Sequence, residues 1–350
     1  MTKPKNTILE ISRQDQMGAL SPWFDKHLDI CIDDGYFGSE KLLTDIGNHI
    51  IEDLIAYRIQ TGISTVILGM SGGVDSALTA ALFKRAGWKV IGVTMPIHQD
   101  PEETTRGVDA CEALGIEHKH IDLTSLYNDA TTSLGDLDGL LDDANETNKA
   151  VLIRRGNVKA RLRMITLYNL AAMHGGLVAS TDNYSELAAG FWTLHGDVGD
   201  LSPIQSLTKS WEVPMLAKLF GVPEETWRAK PTDGLGVDAG DEAQFGFTYL
   251  ELDLMLLAIG DFSADGYKDD EMQELGGVNR ENLFKVMDGD IDKDGRATTV
   301  FNKLLDRMGS SWFKRHGTVN IKHPYDSSRY NRLERVDYDQ FVPQVIKRSN

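Results

Sequence analysis

Short apolar runs recur along the chain, each followed by a segment with helical spacing. Thr65-Val66-Ile67-Leu68-Gly69-Met70 reads as a buried strand, and Ala77 to Phe83 reads as a helix ending at Gly87. Trp88 to Met95 forms a second strand pattern through Val90, Ile91 and Val93. Asp100-Pro101-Glu102-Glu103 then supplies an N-cap, a proline at the first helical position and an acidic residue three past the cap. That helix runs to Leu114, with Gly115 in the terminating position. Ile116 to Leu123 reads as a third strand. Val151 to Met173 reads as a long helix closed by His174-Gly175-Gly176, and Leu177 to Ser180 as a fourth, short strand. Such βαβαβ alternation predicts an α/β fold, a doubly wound parallel sheet with helices on both faces. Ligands are expected at the carboxyl ends of its strands.

Upstream, Leu42, Leu43, Ile46, Ile50, Leu54 and Ile55 recur at helical spacing between Ser39 and Gln60. Periodicity alone does not separate a helix packed on its own sheet from one at a dimer interface. Residues 127–150 are rich in Asp, Asn and Thr and read as a flexible excursion, and 262–300 as an acidic, Gly-rich insertion or appendage. The expected organisation is an N-terminal extension (1–38), a core (39–260), an acidic insertion (261–310) and a C-terminal segment (311–350).

Composition narrows the function classes. The chain has 350 residues, 41% hydrophobic and 25% charged, ample for a large buried core. No stretch approaches the about 18 apolar residues of a membrane span, and Met1 to Leu20 carries no secretory apolar segment. Only Cys31 and Cys111 occur, without a C-x-x-C, so neither a disulfide framework nor a zinc site is expected, and a reducing cytoplasm is the simplest address. A formal net charge of -17 argues against nucleic-acid binding, which needs a basic face.

The densest chemistry lies between the first strand and its helix. Ser71-Gly72-Gly73-Val74-Asp75-Ser76 combines a glycine turn, two hydroxyls and a carboxylate. A strand turning through glycines into a helix aims backbone N–H groups and the positive end of the helix dipole at one point, which is an anion site. Asp75 suits such a site if it holds a cation that phosphates share, so the loop predicts a magnesium nucleotide. No lysine follows the glycines, and G-x-G-x-x-G is absent here, so the kinase-type and dinucleotide loops are excluded.

Three further clusters follow. Between Arg154 and Arg163 five of ten residues are basic, in a helix whose apolar positions at 158, 162, 165 and 167 mark a buried face; these cations are either solvated or ligand-directed. Ser180-Thr181-Asp182-Asn183-Tyr184-Ser185-Glu186 lies where the fourth strand ends. Gly196-Asp197-Val198-Gly199-Asp200, then Thr208-Lys209, supplies two carboxylates and a lysine at an expected helix start, where the dipole disfavours it. His118 and His120 alternate along a strand and read as a solvated pair, and Asp288 to Gly295 as a solvated acidic turn that lacks the glutamate of a calcium loop.

The S-G-G-x-D-S string resembles the pyrophosphate loop of the N-type ATP pyrophosphatases, whose fold is adenine nucleotide alpha hydrolase-like. With Gly156-Asn157-Val158-Lys159-Ala160-Arg161-Leu162-Arg163-Met164, Thr181–Glu186, Gly196–Asp200, Thr208-Lys209, Lys230-Pro231-Thr232 and Lys314-Arg315 in order, the chain resembles the ammonia-dependent NAD synthetases. The resemblance covers about residues 40–260 and resumes near Trp312. It implies a C–N ligase that adenylates the carboxylate of deamido-NAD with ATP and releases AMP and pyrophosphate as ammonia attacks. By position, Gly69, Met70, Ser71, Gly72, Gly73, Val74, Asp75 and Ser76 would hold ATP, with Thr181, Lys209 and Thr232. Asp75 and Glu186 would share Mg²⁺ and, with Lys209, form the catalytic group. Arg161 and Asp200 would position deamido-NAD, and Lys314 would close over it. A homodimer is the expected assembly.

The chain departs from the ammonia-dependent pattern at several positions. Asn183 replaces a histidine, Leu194 a lysine, the Gly-Asp stretch is one residue shorter, and Pro231-Thr232-Asp233 keeps part of a P-T-A-D segment. The alternatives are an amidating pyrophosphatase with another carboxylate acceptor and a non-catalytic nucleotide-binding homologue. Retention of both Asp75 and Glu186 favours turnover. About 40 residues precede the Ser39 helix, fewer than the about 50 of a small independent domain, so free ammonia is the expected nitrogen donor.

Overall fold

Apolar alternation in the two central strands fixes the architecture. The computed structural model describes residues 4–138, 148–232, 234, 240–264 and 292–315. Its chain opens with helices α1 (Lys5–Ile11), α2 (Gln14–Met17), α3 (Pro22–Asp33) and α4 (Glu40–Thr61). Strands β1 (Thr65–Gly69), β2 (Lys89–Thr94) and β3 (Glu117–His120) then alternate with α5 (Val74–Arg85) and α6 (Pro101–Leu114). Helices α7 (Thr124–Asp138) and α8 (Lys149–His174) lead to β4 (Leu177–Val178). The four strands are parallel, in the order β3-β2-β1-β4. Val66, Leu68 and Val90 join the core with α4 and α5, whereas Ile67, Ile91 and Val93 join the core with α8, so both faces of the sheet are covered.

Local signals explain the boundaries. Ser39 caps α4 by accepting from the Leu42 amide, and Asp100 caps α6 by accepting from Glu102. Both β3 and β4 are shorter than the sequence suggests. Past β3, the Ile121 and Leu123 amides still pair with the Thr94 and Pro96 carbonyls; past β4, Ala179 bridges Leu201 in parallel. Helix α4 buries Leu43, Gly47 and Leu54 against α5 and α10 (Glu212–Leu219), while Leu42 and Ile59 on it stay exposed. His118, half-buried, and His120, exposed, both lie against Thr94 Oγ1, with Nε2 and Nδ1 at 3.0 and 2.9 Å.

Two segments differ from their sequence reading. The excursion expected at 127–150 includes most of α7, which buries Tyr127 and Thr131, one turn apart, with Leu123 buried just before its start; residues 139–147 lie outside the described residues. The part of the 261–310 insertion that is described ends in a helix. After α9 (Tyr184–Ala189), α10, α11 (Glu224–Trp227), α12 (Asp241–Phe245) and α13 (Tyr249–Ala264) comes α14 (Arg296–Ser310), then a 3-10 turn, Trp312–Arg315. Helix α14 buries Ala297, Val300, Phe301, Leu304 and Leu305, an i, i+3, i+4, i+7, i+8 stripe. Asp292, read as part of a solvated turn, accepts from the Ala297 and Thr298 amides and caps this helix; Asp288 to Ile291 lie outside the described residues. Helices α1 and α3 bury Ile8, Phe24 and Leu28 in the same core, with α3 against α13 and α14. The N-terminal helices and α14 thus form one helical layer beside the sheet.

Candidate active site

The glycine turn occupies the carboxyl end of β1, one of the two central strands. Gly72 has φ +85, and a Cβ there would strike the Glu103 carbonyl of α6. Ser71 Oγ accepts from the Gly73 amide at 3.3 Å, and Ser76 Oγ donates to the Gly73 carbonyl at 3.0 Å. No side chain caps α5, which begins at Val74 with Gly73 before it. Its first amides and its dipole are therefore available to an anion.

Four acidic side chains and one ammonium converge on this turn. Lys209 Nζ pairs with Asp75 Oδ2 and lies 3.5 Å from Glu186 Oε1, so its charge sits between these two carboxylates, the pair expected to hold magnesium. Lys209 does not start a helix, since α10 begins at Glu212; the dipole conflict read from the sequence does not arise. Asn183 Nδ2 donates to Asp75 Oδ1 at 2.9 Å, and Asn183 and Glu186 form a capping box at the start of α9. Tyr249 OH donates to Asp241 Oδ2 at 3.1 Å and lies 3.4 Å from Glu186 Oε1. Burial disfavours the Lys209 ammonium, but Asp75 and Glu186 outweigh it and hold its pKa above the ordinary value. Burial raises Glu186 well above the ordinary value against the pull of Lys209, and pushes Asp182 up to about 7 with Asp197 adding to the shift. Two carboxylates, Asp75 and Glu186, beside a turn built for an anion fit an added divalent cation. Among the described residues no three His, Cys, Asp or Glu side chains are grouped to cage a metal alone. Mg²⁺ suits such a place because it takes one or two carboxylates and completes its shell with phosphate oxygens.

Behind Lys209 lies a second network. Asp253 on α13 accepts from the Ser210 amide at 2.8 Å and from Ser185 Oγ, which in turn accepts from the Lys209 amide at 2.9 Å. Both ends of the cluster, α9 and the Lys209 turn, are thereby tied to one buried carboxylate.

A cleft of about 220 Å³ opens over the cluster. Gly69 to Asp75, Thr181, Glu186, Lys209 and Thr232 line it, so these expected residues meet in one place, with Ser76 just behind on α5. Its apolar end is built from Val93, Met95, Met164 and Leu167, beside Arg163, which donates to the Met95 carbonyl and to Gln99. Arg161 and Asp200 lie outside this cleft. Arg161 Nε donates to the Leu194 carbonyl, and Asp200 accepts from Tyr168 OH and the Val178 amide. Lys314 is likewise apart from it, donating to the Gly190 and Trp192 carbonyls. Asp241, Tyr249 and Asp253 were not singled out from sequence, and Asp182 was named only within the 180–186 cluster. Asn183 was named within that cluster and as a departure; its spacing of three from Glu186 is also a capping signature.

The family model described as NAD synthase matches residues 48–289. The chain belongs to the NAD synthase family. It is 38% identical over 215 residues to the NH(3)-dependent NAD(+) synthetase of Methanococcoides burtonii, covering 60% of this chain and 78% of that protein. A solved NH3-dependent NAD synthetase from Campylobacter jejuni superposes with a TM-score of 0.58 at 25% identity, covering 80% of this chain and 99% of that one. An NMN synthetase from Francisella tularensis superposes with a TM-score of 0.61 at 24% identity over the same shares, a likeness of fold.

Proposed function

We propose that this chain is an NAD synthetase that uses free ammonia, a ligase converting deamido-NAD to NAD with ATP as co-substrate. The observation that carries the reading is the Asp75–Lys209–Glu186 cluster at the mouth of an uncapped helix N-terminus. A nicotinate carboxylate is a poor electrophile. It first attacks the α-phosphate of ATP, giving an acyl-adenylate and pyrophosphate, and ammonia then displaces AMP.

The first step brings an anionic carboxylate against an anionic phosphate. The glycine-turn amides hold the phosphates, and Lys209 stabilises the charge that develops between them. Asp75 and Glu186 would hold Mg²⁺, which supplies further charge neutralisation at the phosphate oxygens when bound. The apolar end near Met95, Met164 and Leu167 suits the adenine ring. Positioning and electrostatics suffice for this chemistry, and no side-chain nucleophile is assigned.

Arg161 and Asp200 are the proposed acceptor contacts. They share a face with Ile165 and Tyr168 of α8, since 161, 165 and 168 lie one turn apart and Tyr168 bonds Asp200. Ile165 is 65% exposed and Tyr168 41%, an apolar face whose exposure supports the homodimer reading, which sedimentation velocity tests. No helix among the described residues is long and apolar enough to cross a membrane, and the proposed site of action is the cytoplasm.

The deciding experiment incubates the protein with ATP, Mg²⁺ and ammonium against deamido-NAD, nicotinate mononucleotide and other carboxylates, and identifies the amide by mass spectrometry. NAD as the main product is expected. A preference for the mononucleotide would move the chain to a different amidation, and no amide with any acceptor would leave a nucleotide-binding protein.

A further inference from the structure

Five backbone carbonyls at the C-terminal end of α9 and just past it are taken by three cations more than 100 residues further along the chain. Arg315 donates to the Leu187 carbonyl through Nε at 3.1 Å and to the Ala188 carbonyl through Nη2 at 2.6 Å. Arg307 Nε donates to Ala189 at 3.0 Å, and Lys314 Nζ to Gly190 at 3.1 Å and to Trp192 at 2.5 Å. A helix leaves its last carbonyls without internal partners, and cations at that end also favour its dipole.

The fit extends beyond the hydrogen bonds. The Arg307 guanidinium lies 4.9 Å from the Phe245 ring centre, and the Lys314 ammonium 5.1 Å from that of Trp192. Gly190 ends α9 at φ +64, and a Cβ there would collide with Ser311, whose hydroxyl accepts from Arg315 at 3.0 Å. The turn and the clamp therefore occupy one another's space. All three cations lie beyond residue 289, where the match to the family model ends.

Helix α9 has six residues, far too few to be stable in water without outside contacts. Its other end carries Asn183, bonded to Asp75, and Glu186 beside Lys209. The two ends are about 9 Å apart at 1.5 Å per residue, so a helix this short moves as one body. We propose that Arg307 and Arg315 are positioning residues, which place Asn183 and Glu186 against Asp75 by fixing the far end of α9, and are not contacts to the dinucleotide. The inference rests on the synthetase reading.

Arg315→Ala, Arg307→Ala and the conservative Arg315→Lys, which keeps the charge and loses the fork, test it in the full-length protein. Expected for Arg315→Ala is a fall in kcat of about tenfold or more, the scale of a catalytic group displaced by less than about 1 Å. KM for deamido-NAD should stay near the wild-type value, the Mg²⁺ concentration for half-maximal rate should rise, and amide exchange across 187–193 should accelerate. Arg315→Lys should fall between the two, and it serves if the alanine variant does not fold. A raised KM for deamido-NAD with kcat retained would make these residues substrate contacts and overturn the proposal. So would unchanged exchange at 187–193, or a lower kcat with an unaltered Mg²⁺ requirement. If the wild-type protein makes no NAD, the synthetase reading fails by itself, while exchange at 187–193 and Mg²⁺-ATP binding by calorimetry still decide the clamp.

Discussion

Asp253 touches no expected substrate atom, yet it ties the Lys209 turn to α9 through Ser210 and Ser185. An asparagine would keep the acceptor for Ser210 but turn an amide N–H toward Ser185 Oγ, forcing that hydroxyl to redirect its proton. Asp253→Asn should lower kcat by about tenfold, equivalent to about 1.4 kcal/mol of barrier, as steady-state NAD formation would measure. Burial pushes this carboxyl from its ordinary 3.8 up to about 6, although the serine contacts pull it down. A raised carboxyl pKa means the folded state keeps a proton that the unfolded chain has released. Stability contributed by this group is therefore present at low pH and is lost as pH climbs from about 4 to about 6. Urea midpoints should shift in favour of the variant as pH rises across that window, and a difference that does not vary with pH would refute the buried-carboxyl reading. At the turn itself, Gly72→Ala meets both a positive φ and the Glu103 carbonyl. Calorimetry should show loss of ATP binding in a protein that stays folded. The phosphate turn was legible because its chemistry is local: glycines, hydroxyls and a carboxylate within six positions of a strand end. Asp253 was not, because its role depends on α13 meeting α9 and the 208–210 turn, contacts that no spacing along the chain encodes.

Elements show the same division between local and distant causes. The βα units from Thr65 to Val178 follow hydrophobic runs, caps and glycine stops, so their existence and order were readable, with β3 and β4 trimmed at their ends. Helix α7 escaped because it is polar apart from a few positions one turn apart. Helix α14 has one of the clearest apolar stripes in the chain, but the acidic, Gly-rich residues before it masked its start, and Asp292 is recognisable as a cap only once Ala297 and Thr298 are seen to donate to it. Helices α3 and α14 share a core with α13, so the N-terminal segment supports the layer from which Asp253 projects. Phe24, fully buried on α3, is the test of that dependence. Phe24→Ala should cost about 3–5 kcal/mol from lost burial and the cavity left behind. Urea denaturation followed by circular dichroism would measure it. A loss under about 1 kcal/mol would mean that the N-terminal helices are not integral to the core.

Across the whole molecule, the remaining choice is where the nitrogen comes from. Amidation from glutamine requires a nucleophile that releases ammonia, usually a cysteine thiolate kept reactive by a base and reachable by substrate. The sequence has two cysteines, and the structure places both inside the core. Cys111 lies under the sheet on α6, and burial pushes its thiol up to about 12, with Glu112 adding to the shift. Almost none of it is thiolate at neutral pH. Cys31 stands 3.6 Å from His27 Nε2, the spacing of a thiol–imidazole pair, but it is fully buried on α3. The His27 ring is held by the Leu254 carbonyl at 3.1 Å and packs on Trp23, so the pair faces the helical layer and not a cleft. Neither thiol can meet glutamine without unfolding its helix, whereas ammonia needs no site beyond the adenylate it attacks. The purified chain should form NAD with ammonium and give at most a small fraction of that rate with glutamine freed of contaminating ammonia. Cys31→Ala should leave the ammonium-supported rate unchanged. Glutamine-supported synthesis by the purified protein at a rate matching ammonium, abolished by Cys31→Ala, would show that the thiol becomes accessible and would refute the assignment of ammonia as donor.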